Sequence, residues 1–237
     1  MQGHALAYDQ GSGFGLVMPL GRLGVRPLER GSAQAARPYN PVIVVGHGGL
    51  GHALQAKIIA KREFAGYWEY VLDQALFTAP AHPQWGGAAL LGEDGRLLGI
   101  GSLLVQESVG GKAVDGNMFV PADLLAPILE DMLATGRAAG PPRAWLGIYA
   151  TEMDGHLVIG GLAPGGPAER AGVKLGDLVL EVGGVRSAGL AAMFRRIWSS
   201  GPAGSEVTLT LSRRGAASRV PIRSADRSEF LKKPRLH

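Results

Sequence analysis

Apolar runs in this chain are short, and glycine or a polar cluster ends nearly every one of them. Pro41-Val42-Ile43-Val44-Val45 stops at Gly46, and Lys57–Lys61, Tyr67–Leu72, Ala88–Leu91, Leu97–Val105 and Met118–Val120 repeat the pattern. Runs of this length, rich in β-branched residues and separated by turn formers, read as short antiparallel strands. The 37 glycines and 15 prolines among 237 residues are spread between the runs, as turns require, and are not pooled in a linker. The expected fold class is therefore mainly β.

One stretch breaks this rhythm. In Ala122–Ala134, Leu124, Leu125, Ile128, Leu129, Met132 and Leu133 share a helical face, with Pro127 early and Gly136 after the last turn. A helix is expected there. The stretch Arg137-Ala138-Ala139-Gly140-Pro141-Pro142 then reads as a linker, giving a first unit over 1–136 and a second over 143–225.

Composition narrows the chemistry. Hydrophobic residues at 46% supply a core, and the absence of cysteine excludes disulfides, thiolate nucleophiles and cysteine-held zinc. Met1–Ala5 shows no signal-peptide pattern, and no apolar run reaches the ~18 residues of a membrane span. The net charge of +4 is concentrated late: from Ser212 to His237 eight Lys/Arg stand against Asp226 and Glu229. Aromatic residues do not interleave this run, so residues 226–237 read as a solvated basic tail and not as a nucleic-acid platform. No cofactor or metal site is expected, since His47 and His52 lie five apart beside glycines, without helical spacing.

The second unit carries the most specific pattern. Trp145-Leu146-Gly147-Ile148, then Gly166-Pro167-Ala168-Glu169-Arg170-Ala171-Gly172-Val173, then Gly176-Asp177-Leu178-Val179-Leu180-Glu181-Val182-Gly183-Gly184 follow in order, with Ser187–Ser199 as a helix and Val207–Arg213 and Ser218–Ile222 as closing strands. This series resembles the PDZ domain of HtrA/Deg-type proteases, a partly open β-sandwich with helices. Such a domain binds an extended peptide as an added strand at a sheet edge. Gly147 would open backbone N–H groups to a terminal carboxylate, flanked by Leu146 and Ile148. Leu190, Phe194 and Ile197 share one helical face and would wall the pocket for the last side chain, with Arg143 adding charge; core packing is the competing role for these apolar residues.

With that resemblance in hand, the first unit is similar to the second barrel of a trypsin-like HtrA/Deg protease. Asp94-Gly95-Arg96-Leu97-Leu98-Gly99-Ile100, Phe119-Val120-Pro121 and Val44-Val45-Gly46-His47-Gly48-Gly49 carry the likeness. Counting back from Asp94-Gly95 places Gly86 at the nucleophilic serine. Gly13-Phe14-Gly15-Leu16-Val17 matches the strand of the catalytic aspartate, putting Gly13 at the acid. No histidine lies far enough upstream of Gly13 to complete a triad, His4 being too close. His82 with Ser102 and Ser108 shows no spacing for a substitute set. Gly99-Ile100-Gly101-Ser102 would be the strand that pairs with an extended peptide.

The resemblance implies protein or peptide C-termini as partners, a homo-oligomer and a periplasmic setting. Three functional classes stand: a pseudo-protease that binds peptide termini or extended strands in protein quality control, an active serine endopeptidase, and a structural or interaction module. A fragment of a longer protein and a complete short protein both fit the sequence.

Overall fold

A computed structural model describes residues 2–231, and these divide into two compact units. One holds the residues up to 64 together with 72–139; the other joins 65–71 to the residues from 140 onward.

In the first unit, β1 (Gly3–Tyr8) pairs antiparallel with β2 (Gly15–Pro19) as a separate two-stranded sheet. The Asp9 carboxylate accepts from both the N–H and the hydroxyl of Ser12, each at 2.6 Å, and so fixes the connecting turn. The expected strand beginning at Gly13 starts instead at Gly15, because Gly13 (φ +80) is part of that turn.

Strands β3 (Pro41–Val45), β4 (Ala53–Gly66), β5 (Tyr70–Ala79), β6 (Ala89–Leu91), β7 (Leu97–Val109) and β8 (Lys112–Pro121) close a barrel in the order β3-β4-β5-β8-β7-β6. Alternation puts Val42, Val44, Ile58, Leu76, Leu90 and Phe119 inside, each at most 3% exposed. Residues 67–69 form the β4–β5 turn and do not continue a strand. The helix expected over 122–134 is shorter: a 3-10 turn covers Ala122–Leu124, and α1 spans only Leu129–Thr135. Pro127 explains the break, since it lacks an N–H and disfavours helical geometry at the residue before it.

The second unit contains β9 (Ile148–Met153), β10 (His156–Leu162), α2 (Pro167–Arg170), β11 (Leu178–Val182), β12 (Val185–Arg186), α3 (Leu190–Ser199), β13 (Glu206–Arg213) and β14 (Ala216–Arg223). The sheet order is β14-β13-β11-β10-β9, which leaves β9 at the edge, with β12 paired to β11. One face of α3 buries Leu190, Met193, Phe194 and Ile197 on this sheet. Each such side chain contributes ~1.5–3 kcal/mol. Beyond β14, Trp145 and Ala225 exchange backbone hydrogen bonds, Asp226 caps a 3-10 turn over Arg227–Phe230, and the Phe230 ring lies 4.7 Å from that of Trp145. Residues 226–231 of the expected tail are thus folded onto the second unit, while Lys232, Lys233 and Arg235 lie outside the described residues.

Candidate functional site

The loop entering β9 presents its backbone in one direction. Leu146 and Ile148 are fully buried, so their side chains anchor it in the core. Its carbonyls are taken from behind: Ala168 N–H donates to Leu146 O and Ala163 N–H to Gly147 O, both at 2.8 Å. Gly147 has φ +76, and a Cβ there would sit 3.1 Å from the Trp145 ring and 3.2 Å from the Ala163 methyl. Glycine is required by both conformation and space. The result is a row of N–H groups with no partner behind them.

These N–H groups converge on the carboxylate of Glu69. Gly147 donates to Oε1 at 2.7 Å, Ile148 to Oε1 at 3.0 Å, and Leu146 to Oε1 and Oε2 at 3.2 and 3.1 Å. Glu69 is 1% exposed and carries φ +59, a left-handed conformation that costs a non-glycine residue ~1–2 kcal/mol. Burial pushes its carboxyl up to about 7. The three backbone donors and the charge of Arg227 oppose that shift without cancelling it.

Neighbouring residues extend the contact along the sheet edge. Tyr67 O accepts from Ala150 N–H at 2.9 Å, so the segment ascends from 67 to 69 while its partners descend from 150 to 147. The turn thus takes one backbone site of the edge strand, the kind of site an added strand would use, and places Glu69 at the cradle. The Tyr67 ring meets Tyr149 edge-on at 5.9 Å, Trp68 stacks on Tyr70 at 5.7 Å, and Val71 is buried in the same cluster as Leu146, Ile148, Leu190, Phe194 and Ile197.

Among the residues singled out from sequence, Leu146, Gly147 and Ile148 form the cradle, and Leu190, Phe194 and Ile197 line the inner face of α3. The N-terminus of α3 is tied to β9 through Leu190 N–H, which donates to Glu152 Oε1 at 2.6 Å. Arg143 is placed differently: its guanidinium covers the Trp198 ring at 4.7 Å, and its backbone bridges to Pro202. Its charge is directed to a ring face and not to the carboxylate. Sequence reasoning missed Glu69, Tyr67 and Arg227. An acid set among aromatics in Tyr67-Trp68-Glu69-Tyr70 was the available signal, but it read as ordinary strand.

The barrel positions are equally concrete. Gly86 lies in a turn where Ala88 N–H donates to Trp85 O, and a Cβ at Gly86 would meet nothing within 4 Å. Gly13 is exposed, and Asp9 beside it is engaged by Ser12. His82 is 2% exposed; its Nδ1 accepts from Gln84 N–H at 3.0 Å, so its Nε2 carries the proton and donates to His52 O at 2.6 Å. Both nitrogens are thereby committed to the backbone, while the side chains of His47 and His52 are exposed. Among the described residues no three His, Asp or Glu side chains gather in a metal-binding group. The strand Gly99–Ser102 does not offer an edge to a peptide: Gly99 and Ile100 pair with β6 on one side and β8 on the other.

An edge strand, a carboxylate-holding glycine loop and a helix packed beside them define a PDZ-type module. Residues 158–213 match the family model of the PDZ domain, a range that runs from β10 into β13 and begins after the cradle. Serine endoprotease DegS of Haemophilus influenzae is 24% identical over 201 residues, covering 82% of this chain and 58% of that protein. Serine protease PepD of Mycobacterium tuberculosis is 27% identical over 230 residues, covering 90% of this chain and 48% of its own length. The chain thus spans about half the length of the curated relatives it matches. Among solved structures, the HtrA-type protease AlgW with a decapeptide superposes with a TM-score of 0.56 at 18% identity, covering 98% of this chain and 72% of that one. A serine endoprotease from Yersinia pestis gives 0.53 at 21%, covering 94% and 75%. The fold is mainly β, a trypsin-like barrel followed in sequence by a PDZ domain. Over most of its length the chain is similar in sequence to the serine proteases DegS and PepD.

Proposed function

We propose that this chain captures carboxylate-bearing peptide segments, chiefly protein C-termini, in its PDZ domain and does not cleave them. The observation that carries the reading is the convergence of the Leu146, Gly147 and Ile148 N–H groups on a single carboxylate beside the edge strand β9. Charge-assisted bonds of this kind are about twice as strong as neutral ones. The related AlgW was solved with a decapeptide, which accords with peptide binding by this fold.

The non-catalytic half rests on reading Gly86 and Gly13 at the positions where HtrA/Deg-type proteases carry serine and aspartate. Loss of a triad nucleophile lowers turnover roughly a million-fold. The commitment of both His82 nitrogens to backbone groups leaves no base there to activate a hydroxyl.

Two measurements test the reading. Peptides with free C-termini are expected to bind better than their amidated forms; equal binding removes carboxylate capture. Casein is expected to stay intact and a fluorophosphonate probe to leave the chain unlabelled; labelling returns it to the active endopeptidases.

A further inference from the structure

We propose that residues 65–71 are a built-in occupant of the PDZ groove, with Glu69 in the place of a peptide's terminal carboxylate, so that an incoming C-terminus binds only by displacing them. This rests on the carboxylate-capture reading above and adds its regulation.

Three observations support it. All the cradle N–H groups at 146, 147 and 148 are already spent on Glu69, so a second carboxylate finds no donors. The strand-addition bond at Ala150 is spent on Tyr67 O. Val71, at the end of the segment, is buried in the same apolar cluster as Leu146 and Ile148, which anchors the segment on this unit. The carboxylate cradle and one backbone N–H of the edge strand are thus both filled by one turn of this chain.

The geometry of that stretch suits a displaceable ligand better than a fixed brace. Glu69 holds a left-handed conformation, and strain of this sort clusters at clamps and switches. Its carboxylate is a side chain in mid-chain, so it can leave by breaking hydrogen bonds alone, with no covalent bond cut. Being tethered, it competes at an effective concentration in the ~mM range. A free peptide's apparent affinity falls by the fraction of time the groove is open, about a hundredfold if it is open about one part in a hundred.

The test uses the whole chain, with Glu69→Ala and the near-isosteric Glu69→Gln as variants. Amide hydrogen exchange reads the occupant directly. Protection at Leu146, Gly147, Ile148 and Ala150 is expected to fall at least tenfold in Glu69→Ala and less in Glu69→Gln, with β11 and β13 unchanged. The β11 and β13 amides also report whether each variant is folded. Binding is read with a fluorescein-labelled random decapeptide library bearing free C-termini, against the same library amidated. Glu69→Ala is expected to bind the free-acid library at least tenfold more tightly than the parent chain. Unchanged exchange at the four amides overturns the proposal, as does equal free-acid binding by parent and variant. If protection falls but neither chain prefers free acids to amides, carboxylate capture itself is wrong and the segment gates nothing.

Discussion

Glu69 is held at a cost, and the cost makes it sensitive to pH. Its carboxyl is raised to about 7 from an ordinary 4.5, with burial as the main cause and Arg227 as the charged neighbour that opposes it. Between those values the docked residue holds more protons than a released one. Its contribution is therefore greatest below about pH 4.5 and is lost as the pH rises through about 7, a change of ~3 kcal/mol in all. The melting temperature of the parent chain should accordingly fall relative to that of Glu69→Gln between pH 5 and pH 8. A constant difference across that range contradicts the assignment. Gly147 makes a complementary case, since Gly147→Ala forces a Cβ into a left-handed position against Trp145 and Ala163. A loss of ~1–2 kcal/mol is expected in urea denaturation, with no change in the unfolding slope. The cradle was legible from sequence because Leu146-Gly147-Ile148 is a local pattern. Its occupant was not, because Glu69 lies 77 residues away from Leu146 and only tertiary structure joins them.

Among the elements, regular strands were the easiest to read. Pro41–Val45 and β13 follow the alternation of buried and more exposed residues that a strand's two faces impose. Ala122–Ala134 misled because its apolar spacing is helical although Pro127 forbids a continuous helix; only Leu129–Thr135 keeps the form. Gly176-Asp177 opens a segment that carried the PDZ resemblance, yet its acid also pins β13. Asp177 is 1% exposed and takes two 2.7 Å bonds from the Arg213 guanidinium and one from Lys174 N–H. The bond from Arg213 is the main cause that holds its carboxyl below the usual range. Stability from this carboxylate is thus present above its unfolded pKa and lost as the pH falls through the lowered folded one. Asp177→Asn should cost about 2 kcal/mol at neutral pH, measured by urea denaturation. An unchanged midpoint would show that the ion pair contributes nothing net.

At the scale of the whole molecule, two separate apolar cores correspond to two units, one of which borrows residues 65–71 from the middle of the other's sequence. The sequence pattern could suggest a barrel and a PDZ domain in order, but no local signal marks a seven-residue exchange between units. The catalytic expectation also belongs at this scale, because a triad is a property of distant segments brought together. Gly86→Ser is expected to give no fluorophosphonate labelling even though a Cβ fits there without contact, since a serine without a positioned base is not activated. Labelling of that variant would reveal a base that the sequence alignment overlooks.

Trp68 gives the 65–71 hairpin tip an optical property of its own. The indole is half-buried, stacked on Tyr70 within a segment that must leave β9 when a competitor enters. Release would pass that indole from a packed to a watery setting and shift its emission to the red. Each of the other three tryptophans lies elsewhere in the chain, at 85, 145 and 198, so a Trp68→Phe control isolates the signal. The molecule thereby contains an unlabelled fluorescent gauge of its own groove, readable in real time by stopped flow.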